Sequence, residues 1–272
     1  MKLKKISERI FFSTIKMFLE DKDGNNTLAT GSFVSKSITR DEVVIFLVAS
    51  KEVIKNSVAA TLVFHEATDS QILNVKENEN LHIRIGEKDW SDMWFSSRIA
   101  NDFVITPIMP IVNFIEHHLD KHCFFQPIDL NSISKKDQLE NISISEDVLF
   151  LDYPSEIVPE DEYMPVLGRA KFATALFKNF DGKPEFLLHS DNASNAASTP
   201  VFILNEGSFT TNNGQVFGNR FLFLGITNGS MSNNLMKVTK AHLLNNFLFY
   251  LTHWFHQNIF YIHLMMILYH YL

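Results

Sequence analysis

From residue 10 to residue 240 the chain alternates short apolar runs with polar clusters, and no comparable stretch repeats apolar residues at helical spacing. The runs are rich in Val, Ile, Phe and Thr, which suit a pleated, half-buried surface. They predict strands over residues 10–19, 30–35, 42–50, 57–65, 80–86 and 101–108 in the first half. In the second half they predict strands over 147–153, 169–178, 184–190, 199–204 and 220–228. Residues 23–26, 179–184 and 211–215 are turn clusters built from Asp, Asn and Gly, which tolerate positive φ. So many short strands suggest a barrel or sandwich, and an all-β fold is expected. The pattern loosens over 109–140, which reads as a connection with a short helix over 112–123. The expected division is a first lobe over 8–115, a connection over 116–140, a second lobe over 141–240 and an apolar tail over 241–272. Near the N-terminus the apolar run 10–15 is closed by Lys16, too soon for the core of a signal peptide, and reads as the first strand.

Composition narrows the function classes. At 272 residues with 46% hydrophobic and 20% charged residues, the chain is globular in character and long enough for a sizeable core. A net charge of -7 offers no basic face to phosphates, so no nucleic-acid partner is expected. The 25 phenylalanines are then core residues and not a platform for stacked bases. A single cysteine, Cys123, excludes an intramolecular disulfide and fits a reducing, cytoplasmic setting. Glycine, at 10 residues, is scarce for a chain with so many turns.

Motifs met in chain order add a resemblance. Ala29-Thr30-Gly31-Ser32-Phe33-Val34 is followed by Leu47-Val48-Ala49-Ser50-Lys51-Glu52-Val53-Ile54 and by Asn101-Asp102-Phe103-Val104-Ile105. Later come Leu151-Asp152-Tyr153-Pro154, Met164-Pro165-Val166-Leu167-Gly168, Asn195-Ala196-Ala197-Ser198-Thr199-Pro200-Val201-Phe202, Phe223-Leu224-Gly225-Ile226 and Leu235-Met236-Lys237-Val238. Together they resemble the bacterial trypsin-like serine peptidases, over roughly residues 10 to 240. That resemblance implies a chymotrypsin-like pair of antiparallel β-barrels with a C-terminal helix and a cleft between the lobes. It also implies that Glu52, Asp102 and Ala197 stand where the family carries its His, Asp and Ser. Family glycines are replaced at Ala29, Asp152, Ala170, Asn195 and Ser198, and of these Ser198 is the hardest to accommodate at positive φ.

Acyl transfer needs a hydroxyl nucleophile, an imidazole to take its proton and a carboxylate to orient the imidazole. On this alignment Ala197 has no nucleophilic atom, and Glu52 would repel Asp102 instead of being oriented by it. Two carboxylates within about 5 Å would share a proton or hold a cation. The expected protein is therefore a pseudoprotease whose cleft binds a peptide or protein segment. Backbone N–H groups at Asn195 and Ala197 would form an anion-binding nest, Ser198 would flank it, and Leu224, Gly225 and Ile226 would pair with the bound strand. A hydrolase using Ser194 or Ser198 with His65 or His189 is the competing reading, and a decayed, idle cleft is another. No cofactor is called for.

Two further clusters need a reading. His118 and His122 stand four residues apart in a stretch with His117 and Cys123, a spacing that would suit zinc on a helix. No second cluster supplies the remaining ligands, so a surface helix without metal is expected. Residues 241–272 contain no Lys, Arg, Asp or Glu, and 246–272 are long enough for a membrane span. His256, His263 and His270 nevertheless recur every seven residues and would draw a polar stripe along a helix. A helix packed on protein is favoured over a membrane-associated tail or an appended out-of-frame segment.

Overall fold

A computed structural model describes residues 5–40, 42–68, 74–96, 102–133, 139, 142–154, 163–191, 197–211, 214–232 and 234–257. The first lobe contains β1 (Thr14–Asp21), β2 (Asn26–Ser37), β3 (Val43–Ser50), β4 (Ser57–Ala67), β5 (Val75–Ile85), β6 (Phe95–Ser96) and β7 (Phe103–Pro107). The strands follow the apolar runs, with displacements: the strand expected over 80–86 starts at Val75, and the one expected over 169–178 runs from Val166 to Phe172, with 173–178 leaving it as turns. Residues 10–13 form a 3-10 turn instead of the start of β1, because burying Ile10 and Phe12 sideways serves the core better than continuing a strand. The helix of the connection is Met109–Leu119, which places Pro110 in its first turn, where a missing N–H costs nothing.

The connection also contributes strands to the first lobe, past the expected boundary at residue 115. β8 (Cys123–Phe124) pairs with β4 and β9 (Ile128–Asp129) pairs in parallel with β2. Phe124 and Ile128 are buried there, so the chain is held to the sheet by apolar anchors. The second lobe contains β10 (Val148–Asp152), β11 (Val166–Phe172), β12 (Glu185–His189), β13 (Ala197–Asn205), β14 (Ser208–Thr211), β15 (Gly214–Phe217), β16 (Arg220–Ser232) and β17 (Leu235–Lys240).

Strand order relates the lobes. The second is a closed barrel in the order β10-β11-β12-β17-β16-β13, with the β14–β15 hairpin set apart. The first runs β5-β4-β1-β2-β3-β7-β6. Setting aside the two-residue β6, both have the same circular order, and the first is open between its fifth and sixth strands among the described pairings. The duplication is in topology, and no sequence repeat announces it.

The lobes meet across one buried apolar cluster that takes Val34, Phe46 and Val48 from the first and Leu151, Phe202 and Phe223 from the second. Onto it packs a helix, Ala241–Gln257, through Ala241, Leu244, Phe247 and Leu248, spaced three and four apart. Its opposite side leaves Phe249 and Tyr250 exposed. Lys36 Nζ donates to Asn245 Oδ1 at 2.7 Å and fixes the helix against β2. Among the described residues no helix is long and apolar enough to cross a membrane. His263 and His270 lie outside the described residues.

Candidate functional site

The chain leaves β3 through a short helix, Lys51–Ile54, whose first N–H, on Lys51, donates to the Asp102 carbonyl at 2.8 Å. That bond sets the backbones of Glu52 and Asp102 side by side. Across the cleft, Ala197 opens β13 opposite Asn228 of β16. A cavity of about 450 Å3 lies between the β1–β2 hairpin, the 51–54 helix and the ends of β10 and β13, and its lining includes Asp21, Thr30, Glu52, Asp152 and Ala197. Two of the three expected triad positions, Glu52 and Ala197, therefore face one space.

Asp102 does not join them. Its Oδ2 accepts from Thr239 Oγ1 at 3.4 Å, and its carboxyl group also meets that of Glu185, so it reaches into the second lobe. Glu52 pairs with Lys55, one helical turn away, and its side chain is 69% exposed. The expected contact between the Glu52 and Asp102 carboxylates is thus absent: Glu52 turns out to Lys55, while Asp102 turns in to Thr239 and Glu185.

Ser198 is fully buried and adopts φ 68, the left-handed conformation that the family's glycine would take freely. Its Oγ accepts from the Ser50 N–H at 2.5 Å, and its carbonyl accepts from Ser32 Oγ at 2.9 Å. The residue is a clasp between lobes, and it neither lines the cavity nor offers a nucleophile or a binding group. Ser198→Ala should cost about 1–3 kcal/mol by leaving a buried N–H unpaired. Ser198→Gly loses the same bond but regains up to about 1 kcal/mol of backbone strain, so it should melt between wild type and the Ala variant. A Gly variant melting below the Ala variant would show that no strain is held there.

The other predicted residues divide. Leu224, Gly225 and Ile226 do not offer a peptide edge: Gly225 pairs with Val201 and Lys240, Ile226 pairs with Pro200 and Thr239, and the Leu224 and Ile226 side chains are buried. Closing the barrel consumes both edges of β16 at that point. Among the described residues, pairing with β13 starts at Ala197 opposite Asn228, while pairing with β17 continues to Ser232. Asn228 Oδ1 accepts from Ser50 Oγ at 3.1 Å, which fixes this part of β16 beside the cleft. Asn195 and Ser194 lie outside the described residues. His65 sits against Phe12, and His189 ends β12; neither lines the cavity.

Electrostatics single out two buried carboxyls. Burial pushes Asp152 above the usual carboxylate range, against the pull of its hydrogen bond from Thr30 Oγ1 at 2.7 Å. Burial, with Asp102 adding to it, likewise raises Glu185, and Lys237 at 3.7 Å only partly offsets this. Asp21 is held low by the Asn25 side chain and by the backbone N–H groups of its turn.

The histidine cluster separates. The helix stops at Leu119 with Asp120 left-handed at φ 51, so His118 and His122 share no helical face. His118 stacks on Phe114, His122 meets Glu116 at 3.3 Å, and the Cys123 thiol is pushed up to about 12 by burial, with Glu116 and Glu66 adding to it. Among the described residues no group of His, Cys, Asp and Glu is arranged to hold a metal.

Two lobes of one strand order, a shared core and a C-terminal helix decide the architecture. The fold is chymotrypsin-like. The chain is similar to the Rv3671c protease from M. tuberculosis in its active form, at 12% identity over 89% of this chain and 81% of that one, with a TM-score of 0.46. It is also similar to the scabies mite inactivated protease paralogue S-I1, at 10% identity over 88% and 94%, with a TM-score of 0.48. A third likeness is to the HtrA-type protease AlgW with tripeptide, at 10% identity over 88% and 60%, with a TM-score of 0.43. At these scores the likenesses carry no weight for function, and the fold rests on strand order. No family model matches the chain, and no curated protein matches its sequence.

Proposed function

We propose that this chain is an inactive homologue of the trypsin-like peptidases that holds a peptide or protein segment in its inter-lobe cleft without cleaving it. The observation that carries the reading is Ala197 on the cavity wall beside Glu52. The described lining has hydroxyl-bearing residues at Thr27, Thr30, Ser57 and Tyr153 but no imidazole to take a proton from them. The cavity between the lobes, beside Ala197 and Glu52, supports the binding of a side chain from such a segment. With a single cysteine the chain can form no internal disulfide, which suits a reducing compartment such as the cytoplasm.

Panning a displayed random-peptide library against the full chain tests the reading. Selected peptides should bind in solution, come back intact by mass spectrometry, and lose at least about tenfold in affinity to Ala197→Phe, which fills the cleft mouth. Peptides returned cut, or bound equally by that variant, would overturn it.

A further inference from the structure

Between β13 and β16 the chain makes a hairpin that the barrel does not use. Among the described residues its strands, β14 and β15, pair only with each other. The hairpin joins β13 and β16 at Asn205 and Arg220, the opposite end of those strands from Ala197, so it lies away from the cleft. β14 turns toward the barrel, where the Arg220 guanidinium lies 4.4 Å from the centre of the Phe209 ring. β15 is the outer strand, and residues 214–219 are all exposed.

The register shows which backbone groups are left over. The Gly218 N–H donates to the Gly207 carbonyl at 2.9 Å, so the bonds within the hairpin fall on Gly214, Val216 and Gly218. The N–H and C=O groups of Gln215 and Phe217 therefore point outward, and among the described residues nothing pairs with them. Side chains alternate too. Val216 shares a face with Phe209, while Phe217 stands on the other face, 83% exposed, opposite the small Ser208.

An exposed edge of this kind is commonly blocked by a charge or a proline. Residues 207–219 contain no Lys, Arg, Asp, Glu or Pro, although the chain carries a net charge of -7. An uncharged edge can meet its own copy without the repulsion that the rest of the surface exerts.

We propose that β15 pairs antiparallel with β15 of a second copy of this chain, about a two-fold axis at Val216. Each Gln215 then faces the partner's Phe217 and exchanges N–H···O=C bonds with it in both directions. Each Phe217 ring covers itself on the partner's Gln215, where its own hairpin offers only Ser208. The contact is smaller than the roughly 1,200 Å2 at which stable interfaces begin, so the dimer is weak and forms by mass action. The cleft, at the other end of β13, takes no part in it.

Sedimentation equilibrium of the full chain tests the pairing. Wild type should show a monomer–dimer equilibrium with Kd on the order of 100 μM. Phe217→Lys should weaken it at least about tenfold by setting a charge on the edge. That change brings the net charge nearer to zero, so general repulsion cannot account for the loss. Gln215→Pro removes an outward N–H and no bond within the hairpin, and should weaken the dimer by a similar factor. Phe249→Lys, on the exposed side of the C-terminal helix, is the control and should leave Kd unchanged. A monomer at every concentration up to about 1 mM overturns the proposal. So does a dimer that Phe217→Lys leaves intact or that Phe249→Lys abolishes.

Discussion

Replacing Gly225 by Ala should destabilise the chain by at least about 3 kcal/mol, and measurably so in a urea titration. A Cβ at this position would lie 2.1 Å from the Thr239 carbonyl oxygen and 3.0 Å from its carbon. Both obstacles are backbone, so no side chain can rotate aside. Relief requires β16 and β17 to separate where Gly225 pairs with Lys240, and the barrel has no slack there because it is closed. The neighbours raise the cost further, since Phe223 and Ile226 belong to the cluster that joins the lobes. Gly229→Ala is the control. Its surroundings are open and only its φ of 87 is strained, so it should lose about 1 kcal/mol. Equal midpoints for the two variants would mean that the close approach of β16 and β17 does not exist.

Glu185→Gln should stabilise the protein above neutral pH and flatten its dependence on pH. Glu185 is 2% exposed, and among the described residues its Oε1 has no hydrogen-bond partner. Burial first, and then the Asp102 carboxyl, push its folded pKa above the ordinary 4.5. The folded state therefore binds a proton more tightly than the unfolded state. Its contribution is fully present below about 4.5 and is lost as pH rises through the raised folded value. Glutamine keeps the shape and cannot ionise, so the gain at high pH should be on the order of 1–3 kcal/mol, the cost of an unsatisfied buried polar group. Asp152 titrates in the same sense and leaves a residual slope that Asp152→Asn removes. Urea unfolding at pH 5 and pH 8 reads both effects. A Glu185→Gln variant whose stability tracks wild type at both values would contradict the account.

The strands were legible as short continuous apolar runs, because β2, β3, β12 and β13 are buried on both faces, whereas Val166–Phe172 alternates with Gly168, Ala170 and Phe172 inward. The 3-10 turn at 10–13 was not, since a short apolar run fits a strand and a buried turn equally well. Ser198 was legible as a difficulty: a glycine position filled by serine predicted strain, and φ 68 is that strain. Its role as a clasp depends on Ser50, which lies 148 residues away in sequence. The same limit hid the partner of Asp102, because Glu185 and Thr239 come from another lobe. Asp152 entered the sequence reading only as a lost glycine, and burial gave it a charge problem that periodicity cannot express. Residues 224–226 were read as an open edge because sequence marks a strand and does not mark which neighbours cover it.

The central claim is that the cleft contains no working nucleophile, and exposure of the native full chain to a fluorophosphonate tests it most directly. Intact-mass spectrometry should show no adduct, and a broad peptide mixture incubated with the chain should come back uncut. An adduct mapped to any serine of the folded protein, together with peptide cleavage that the reagent abolishes, would contradict the account.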